Sequence, residues 1–119
     1  MIEIICFLLL QTYGRESITV YNDHMENSEI KDIFKTINLN LKDDLISDIK
    51  VYINEIKVWN QRCNLTAFEK DEDILVNLFL DSYTLIPYIK RDSIFLDVGT
   101  GAGFPGLAIK LYFEKLKIS

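Results

Sequence analysis

Histidine, proline, cysteine and methionine are scarce here: one His, two Pro, two Cys and two Met in 119 residues. The single His24 leaves little material for a metal centre, and no metal site is expected. Cys6 and Cys63 lie far apart and form neither a CxxC pair nor a disulfide framework, so they read as free thiols of a reducing compartment. An excess of positive charge is also missing. The net charge of −5 argues against a broad nucleic-acid-binding surface on this chain alone, although it leaves local basic contacts open. Long hydrophobic runs are absent too. The longest at the start, Ile4–Leu10, is too short to span a bilayer. Neither a basic leader nor a small-residue cleavage site accompanies it, so a signal peptide is not expected. Glycine is sparse except in one place: four of the five fall between Gly99 and Gly106.

What is present suits a globular chain. Apolar residues make up 49% and charged residues 26%, and the length allows one ordinary core. Two readings of residues 1–24 stand side by side. They form a short buried strand or helix, or they are an extension upstream of a natural start at Met25. From Ser28, Ile30, Ile33, Phe34 and Ile37 follow one helix face, with Ser28 as N-cap and a break at Asn38-Leu39-Asn40. A stronger helix is expected from Lys42 to Asn60, its apolar stripe being Leu45, Ile49, Tyr52, Ile56 and Trp59; core packing explains that stripe. Gln61–Lys70 reads as a connection. A third helix, capped by Asp71 or Asp73, carries Ile74, Leu75, Leu78, Phe79, Leu85 and Ile86 and ends or bends at Pro87.

The run S-I-F-L-D-V that follows has the character of a buried parallel strand. After the glycines, Leu107–Leu116 has helical character, with Leu107, Leu111 and Phe113 as inward candidates, and Leu116–Ser119 reads as the start of another strand. The expected fold class is α/β: a helical extension, then a first strand–loop–helix unit, with the chain cut off after it.

A strand ending in a glycine turn that opens into a helix is suited to an adenine-containing ligand, because glycine permits positive φ and close backbone approach. Gly101-x-Gly103-x-x-Gly106 fits the dinucleotide fingerprint, which keeps a nicotinamide enzyme among the alternatives. The fuller parse is Asp97-x-Gly99-x-Gly101-x-Gly103, the acidic-led motif of class I S-adenosylmethionine-dependent methyltransferases. Phe104 either closes over a ligand or packs inside, and Pro105 is pre-organised for a helix start.

Three segments, W-N-Q-R-C-N-L-T-A (59–67), I-L-V-N-L-F-L-D-S (74–82) and L-D-V-G-T-G-A-G-F-P-G (96–106), occur in order at matching spacing. Together they resemble the bacterial 16S rRNA guanine-N7 methyltransferases, also called glucose-inhibited division protein B. The resemblance covers about residues 30–119. It implies a helical segment (25–90) and the start of a Rossmann-like S-adenosylmethionine-binding domain (91–119), while residues 1–24 lie outside it as an extension of unassigned role. It implies 16S rRNA as the partner of the whole enzyme, a cytoplasmic location and no membrane association. Cofactor-side residues by this resemblance are Asp97, Gly99, Gly101, Gly103 and Phe104. Asn64, Asp81 and Ser82 match positions that brace the loop or the substrate side; Asp81 and Ser82 alternatively serve only hydrogen bonds within the third helix.

Guanine N7 is an unprotonated acceptor, so no base must remove a proton, and no catalytic residue is assigned. The sequence departs from the family in two ways. Asn77 and Leu78 stand where the family has a basic and a polar residue, which removes a substrate-facing contact. The family's later strands, ribose-binding acid and basic–aromatic segment do not occur in these 119 residues, so an inactive or partial form is expected. The alternative from another class is a non-catalytic helical interaction module that retains the loop.

Overall fold

The computed structural model describes residues 25–90, 92, 94–96, 102–113 and 117–118. Helix α1 spans Asn27–Lys35. Its cap is Glu26 rather than Ser28: the Glu26 amide donates to the Glu29 carboxylate at 2.8 Å, and the reciprocal bond completes a capping box. Ile30 and Phe34 form the buried face. The helix unwinds at Asn38, whose φ of 61° turns the chain so that the Leu39 amide bonds the Phe34 carbonyl. The break expected at 38–40 is therefore found.

Helix α2, Asp43–Cys63, continues almost a turn beyond the expected end at Asn60. Asn64 terminates it in the left-handed region (φ 48°), its amide bonding the Asn60 carbonyl. The buried stripe is centred on Ile46, Ile49, Tyr52, Ile53 and Ile56. Leu45 and Trp59, expected inside, are half-buried at its margin, because the isoleucines at spacings of 3, 4 and 3 define the inward face more closely. Lys31 and Asp43 form an ion pair of 2.8 Å between α1 and α2.

Helix α3 occupies 71–83 and changes pitch twice: α-helical at Asp71–Ile74, π-helical at Leu75–Leu80, α-helical again at Asp81–Tyr83. Lys70 is the capping position, so Asp71 and Asp73 lie in the first turn, where their charge complements the helix dipole. Asp71 also pairs with Lys57 of α2 at 2.6 Å, both side chains being about four-fifths covered. Ile74, Leu75, Phe79, Ser82 and Tyr83 point inward. Leu85 does not: the helix has ended at Tyr83, and the chain tightens into a 3-10 turn at Ile86–Tyr88 around Pro87, leaving Leu85 exposed.

Strand β1, Ile94–Phe95, pairs in parallel with β2, Lys117–Ile118, with Ile94 opposite Lys117 and Phe95 opposite Ile118. Helix α4, Gly106–Tyr112, lies between them in sequence. The expected burial of the β1 run is not seen at Ile94 and Leu96, which are 75% and 69% exposed: among the described residues the sheet is a two-stranded ladder with no layer over that face. Helix α4 is shorter than the expected 107–116, and its buried residues are Gly106, Ala108 and Ile109, with Phe113 covered just beyond. Leu107 and Leu111 pack partly against the core.

The fold is thus mostly helical in its described part. Ala108, Ile109 and Phe113 belong to the same core as α1, α2 and α3, so α4 is docked on the helical segment rather than held apart from it. Among the described residues no helix is long and apolar enough to cross a membrane.

Candidate functional site

The described part of the glycine loop begins at Ala102. Ala102, Gly103 and Gly106 are buried, while Phe104 and Pro105 are half-buried. Gly103 adopts φ 95°, a region in which a side chain is strained. Its carbonyl accepts from the Leu107 amide at 2.9 Å, and that of Pro105 from Ile109 at 3.0 Å, so the turn runs directly into α4.

Tyr52, from the middle of α2, meets this turn. Its hydroxyl donates to the Ala102 carbonyl at 2.5 Å. The same hydroxyl fills the space a Gly103 side chain would need, and Leu107 Cδ1 lies 2.8 Å from that position. Two constraints therefore require glycine at 103: the backbone angle and the close approach of Tyr52.

Phe104 is half-buried, with its ring packed against the core. Phe104, Tyr52 and Phe79 form a three-ring contact, with centroids 5.4 Å apart for Tyr52–Phe104, 4.8 Å for Phe79–Phe104 and 5.4 Å for Tyr52–Phe79. Two of the three contacts are edge-to-face, the arrangement favoured by the ring quadrupoles. Phe79 belongs to the π-helical stretch, an irregularity often found near functional sites. The ring chain continues from Phe79 to Tyr83, and from Tyr83 to Phe34 and Tyr112.

Tyr83 is fully buried, and its hydroxyl has no hydrogen-bond partner among the described residues; Asn54 Nδ2 is the other such atom. Burial pushes the Tyr83 hydroxyl well above the ordinary tyrosine value, with Tyr112, Asp48 and Tyr52 acting in the same direction.

The other expected site residues are dispersed. Ser82 is buried and donates to the Leu78 carbonyl at 2.6 Å, a bond within α3. Asp81 is exposed, and its backbone carbonyl accepts from the Thr84 hydroxyl at 2.5 Å. Asn64 is exposed at the end of α2, where it forms the left-handed cap. Asn77 is exposed and donates to the Asp73 carbonyl at 2.9 Å, and Leu78 is half-buried. Asp97, Gly99 and Gly101 lie outside the described residues, as do Cys6 and His24.

Near Asn64, the Asn60 carboxamide accepts the Thr66 amide at 2.9 Å and orders the chain leaving α2. The Arg62 guanidinium sits 5.6 Å from the Trp59 ring. A separate groove of about 460 Å³ lies at the far end of α4, with Asp44, Asp48, Asp92, Lys42 and Tyr112 among its lining. Three carboxylates against one lysine make it unsuited to an anionic ligand, and it is not continuous with the loop residues Ala102–Gly106. Among the described residues no three potential ligands come together to hold a metal.

Sequence reasoning placed Tyr52 and Phe79 in the core without a role at the loop. The one available signal was chemical: a tyrosine in an otherwise aliphatic stripe must bring its hydroxyl to a partner.

The turn at Ala102–Pro105 and helix α4 are thus packed on the three-helix segment. Comparison with known proteins gives the family. The family model of rRNA small subunit methyltransferase G (GidB) matches residues 45–119. The ribosomal RNA small subunit methyltransferase G of Acetivibrio thermocellus is 47% identical over 81 residues, covering 67% of this chain and 34% of that protein. The protein of the same name from Alkaliphilus metalliredigens is 38% identical over 92 residues, covering 76% and 38%. That of Aquifex aeolicus is 31% identical over 96 residues, covering 76% and 49%. The chain belongs to the rRNA small subunit methyltransferase G family. Its matched part spans about a third to a half of the length of these curated relatives.

Proposed function

We propose that residues 25–119 supply the helical segment and the first cofactor-binding unit of an enzyme that methylates guanine N7 in 16S rRNA, using S-adenosylmethionine. In this reading residues 25–90 are the helical segment and 91–119 begin a Rossmann-like domain, with β1, α4 and β2 as its first parallel unit. The carrying observation is the glycine turn itself: a motif led by Asp97 whose last glycine takes φ 95° and is anchored to α2 in a member of this family.

S-adenosylmethionine would supply a methyl group on a sulfonium, and the chain's residues would bind and orient it. Asp97, Gly99 and Gly101 are assigned to the ligand's side. Gly103 and Phe104 are assigned to the same side, where Gly103 also holds the loop in shape, since Tyr52 fills the space a side chain there would need. Asn64, Asp81 and Ser82 are assigned to the substrate side or to bracing it. Because N7 carries a free lone pair, the protein needs alignment rather than a base, and no residue is given a proton-transfer role. A cytoplasmic location follows from an rRNA substrate.

A 15N-labelled sample titrated with S-adenosylmethionine to millimolar concentration tests the cofactor half. Shifts confined to amides of residues 96–107 are expected, with none on adding NAD. Shifts with NAD alone, or with neither ligand, reject it. For the substrate half, residues 25–119 would replace the matching part of the Acetivibrio thermocellus relative. The chimera is expected to transfer labelled methyl to 16S rRNA as N7-methylguanine, and methylation at another atom overturns the acceptor assignment.

A further inference from the structure

The ligand side of a glycine loop is only as well defined as the backbone that carries it. Three features of Tyr52 bear on that backbone at once. Its hydroxyl bonds the Ala102 carbonyl, one residue before the positive-φ glycine. Its oxygen occupies the volume left by the missing Gly103 side chain. Its ring contacts Phe104 on the other side of that glycine. Tyr52 itself is 1% exposed and sits within a helix whose neighbouring turns are packed with isoleucine, so its own position is fixed. A rigid group touching three successive residues sets their dihedral angles, not merely their average place.

We infer that Tyr52 is a positioning residue for the cofactor loop: its hydroxyl fixes the Ala102–Gly103 backbone, the end of that loop that runs into helix α4. The inference rests on the proposed S-adenosylmethionine reading and adds to it a residue far from the glycine motif. Ring packing by Phe79 and Phe104 alone is the competing account, and the hydroxyl separates the two.

The test compares the full chain with Tyr52→Phe, which keeps the ring and removes the hydroxyl. Ile30→Val serves as a control, because it trims the core in α1 away from the loop. Amide hydrogen exchange and an NMR titration with S-adenosylmethionine are measured on all three. In Tyr52→Phe, exchange at Leu107, whose amide is held by the Gly103 carbonyl, should rise about tenfold relative to the amides of α2. Affinity for S-adenosylmethionine should fall about three- to tenfold, the effect of one buried hydrogen bond. Ile30→Val should lower global stability and leave both readouts as in the parent. Unchanged loop exchange and affinity in Tyr52→Phe overturn the inference, and so does an equal loss of affinity in Ile30→Val. Failure of the parent chain to bind at all overturns the cofactor reading instead; loop exchange in Tyr52→Phe then still decides whether the hydroxyl sets the loop.

Discussion

The hydroxyl of Tyr52 and the carbonyl of Ala102 meet at 2.5 Å although 50 residues separate them in the chain. This contact joins the helical segment to the glycine turn and leaves room for no side chain at Gly103.

Gly103→Ala should therefore destabilise the chain by about 2–4 kcal/mol, combining left-handed strain with overpacking against Tyr52 and Leu107. Urea unfolding gives the value from the midpoint. In a Tyr52→Phe background the penalty should shrink, because the hydroxyl contact is gone while the φ strain remains; strict additivity would contradict the proposed contact.

Tyr83→Phe should leave stability unchanged or raise it by up to about 1 kcal/mol, since the hydroxyl it removes is buried without a partner among the described residues. The same group makes the parent alkali-sensitive. In the unfolded chain Tyr83 ionises near the ordinary value of about 10, but in the folded chain burial holds it protonated. Above that pH the folded state binds more protons than the unfolded state, so stability falls as pH rises. Thermal melts from pH 8 to 11 should show this decline, and Tyr83→Phe should lessen it.

Asn64→Gly tests two roles of one residue. Glycine relieves the left-handed cap at φ 48°, so stability should hold or rise by up to about 1 kcal/mol. If the Asn64 side chain also serves the substrate side, the methylating chimera carrying Asn64→Gly should lose rate while remaining as stable. Full activity would restrict Asn64 to capping.

Lys57→Met should cost about 1 kcal/mol, because it leaves the largely covered Asp71 carboxylate without its 2.6 Å partner between α2 and α3. Raising the salt concentration should weaken the parent less than it would an exposed pair, and chemical denaturation at two ionic strengths measures this.

The sequence by itself determined the helices, through their apolar spacing, and the family, through three spaced motifs. The break at Asn38 was equally local, being a property of a residue that tolerates positive φ, whereas α3 ends at Tyr83, before the 3-10 turn that contains Pro87. Other features depended on contacts distant in the chain. The π-helical stretch at Leu75–Leu80 has no spacing signature, and Phe79 within it packs against Tyr83 and Phe104, both outside the stretch. Cap positions shifted because Glu26 and Lys70 are extended in the folded chain, which composition does not reveal. Ser82 spends its hydroxyl inside α3 and Phe104 turns its ring inward, choices made by packing rather than by the motif. Most of all, the motif marked Gly103 as a residue that something must approach closely. Only the tertiary structure showed that Tyr52 approaches it, because helix α2 and the turn become neighbours solely through the core they share.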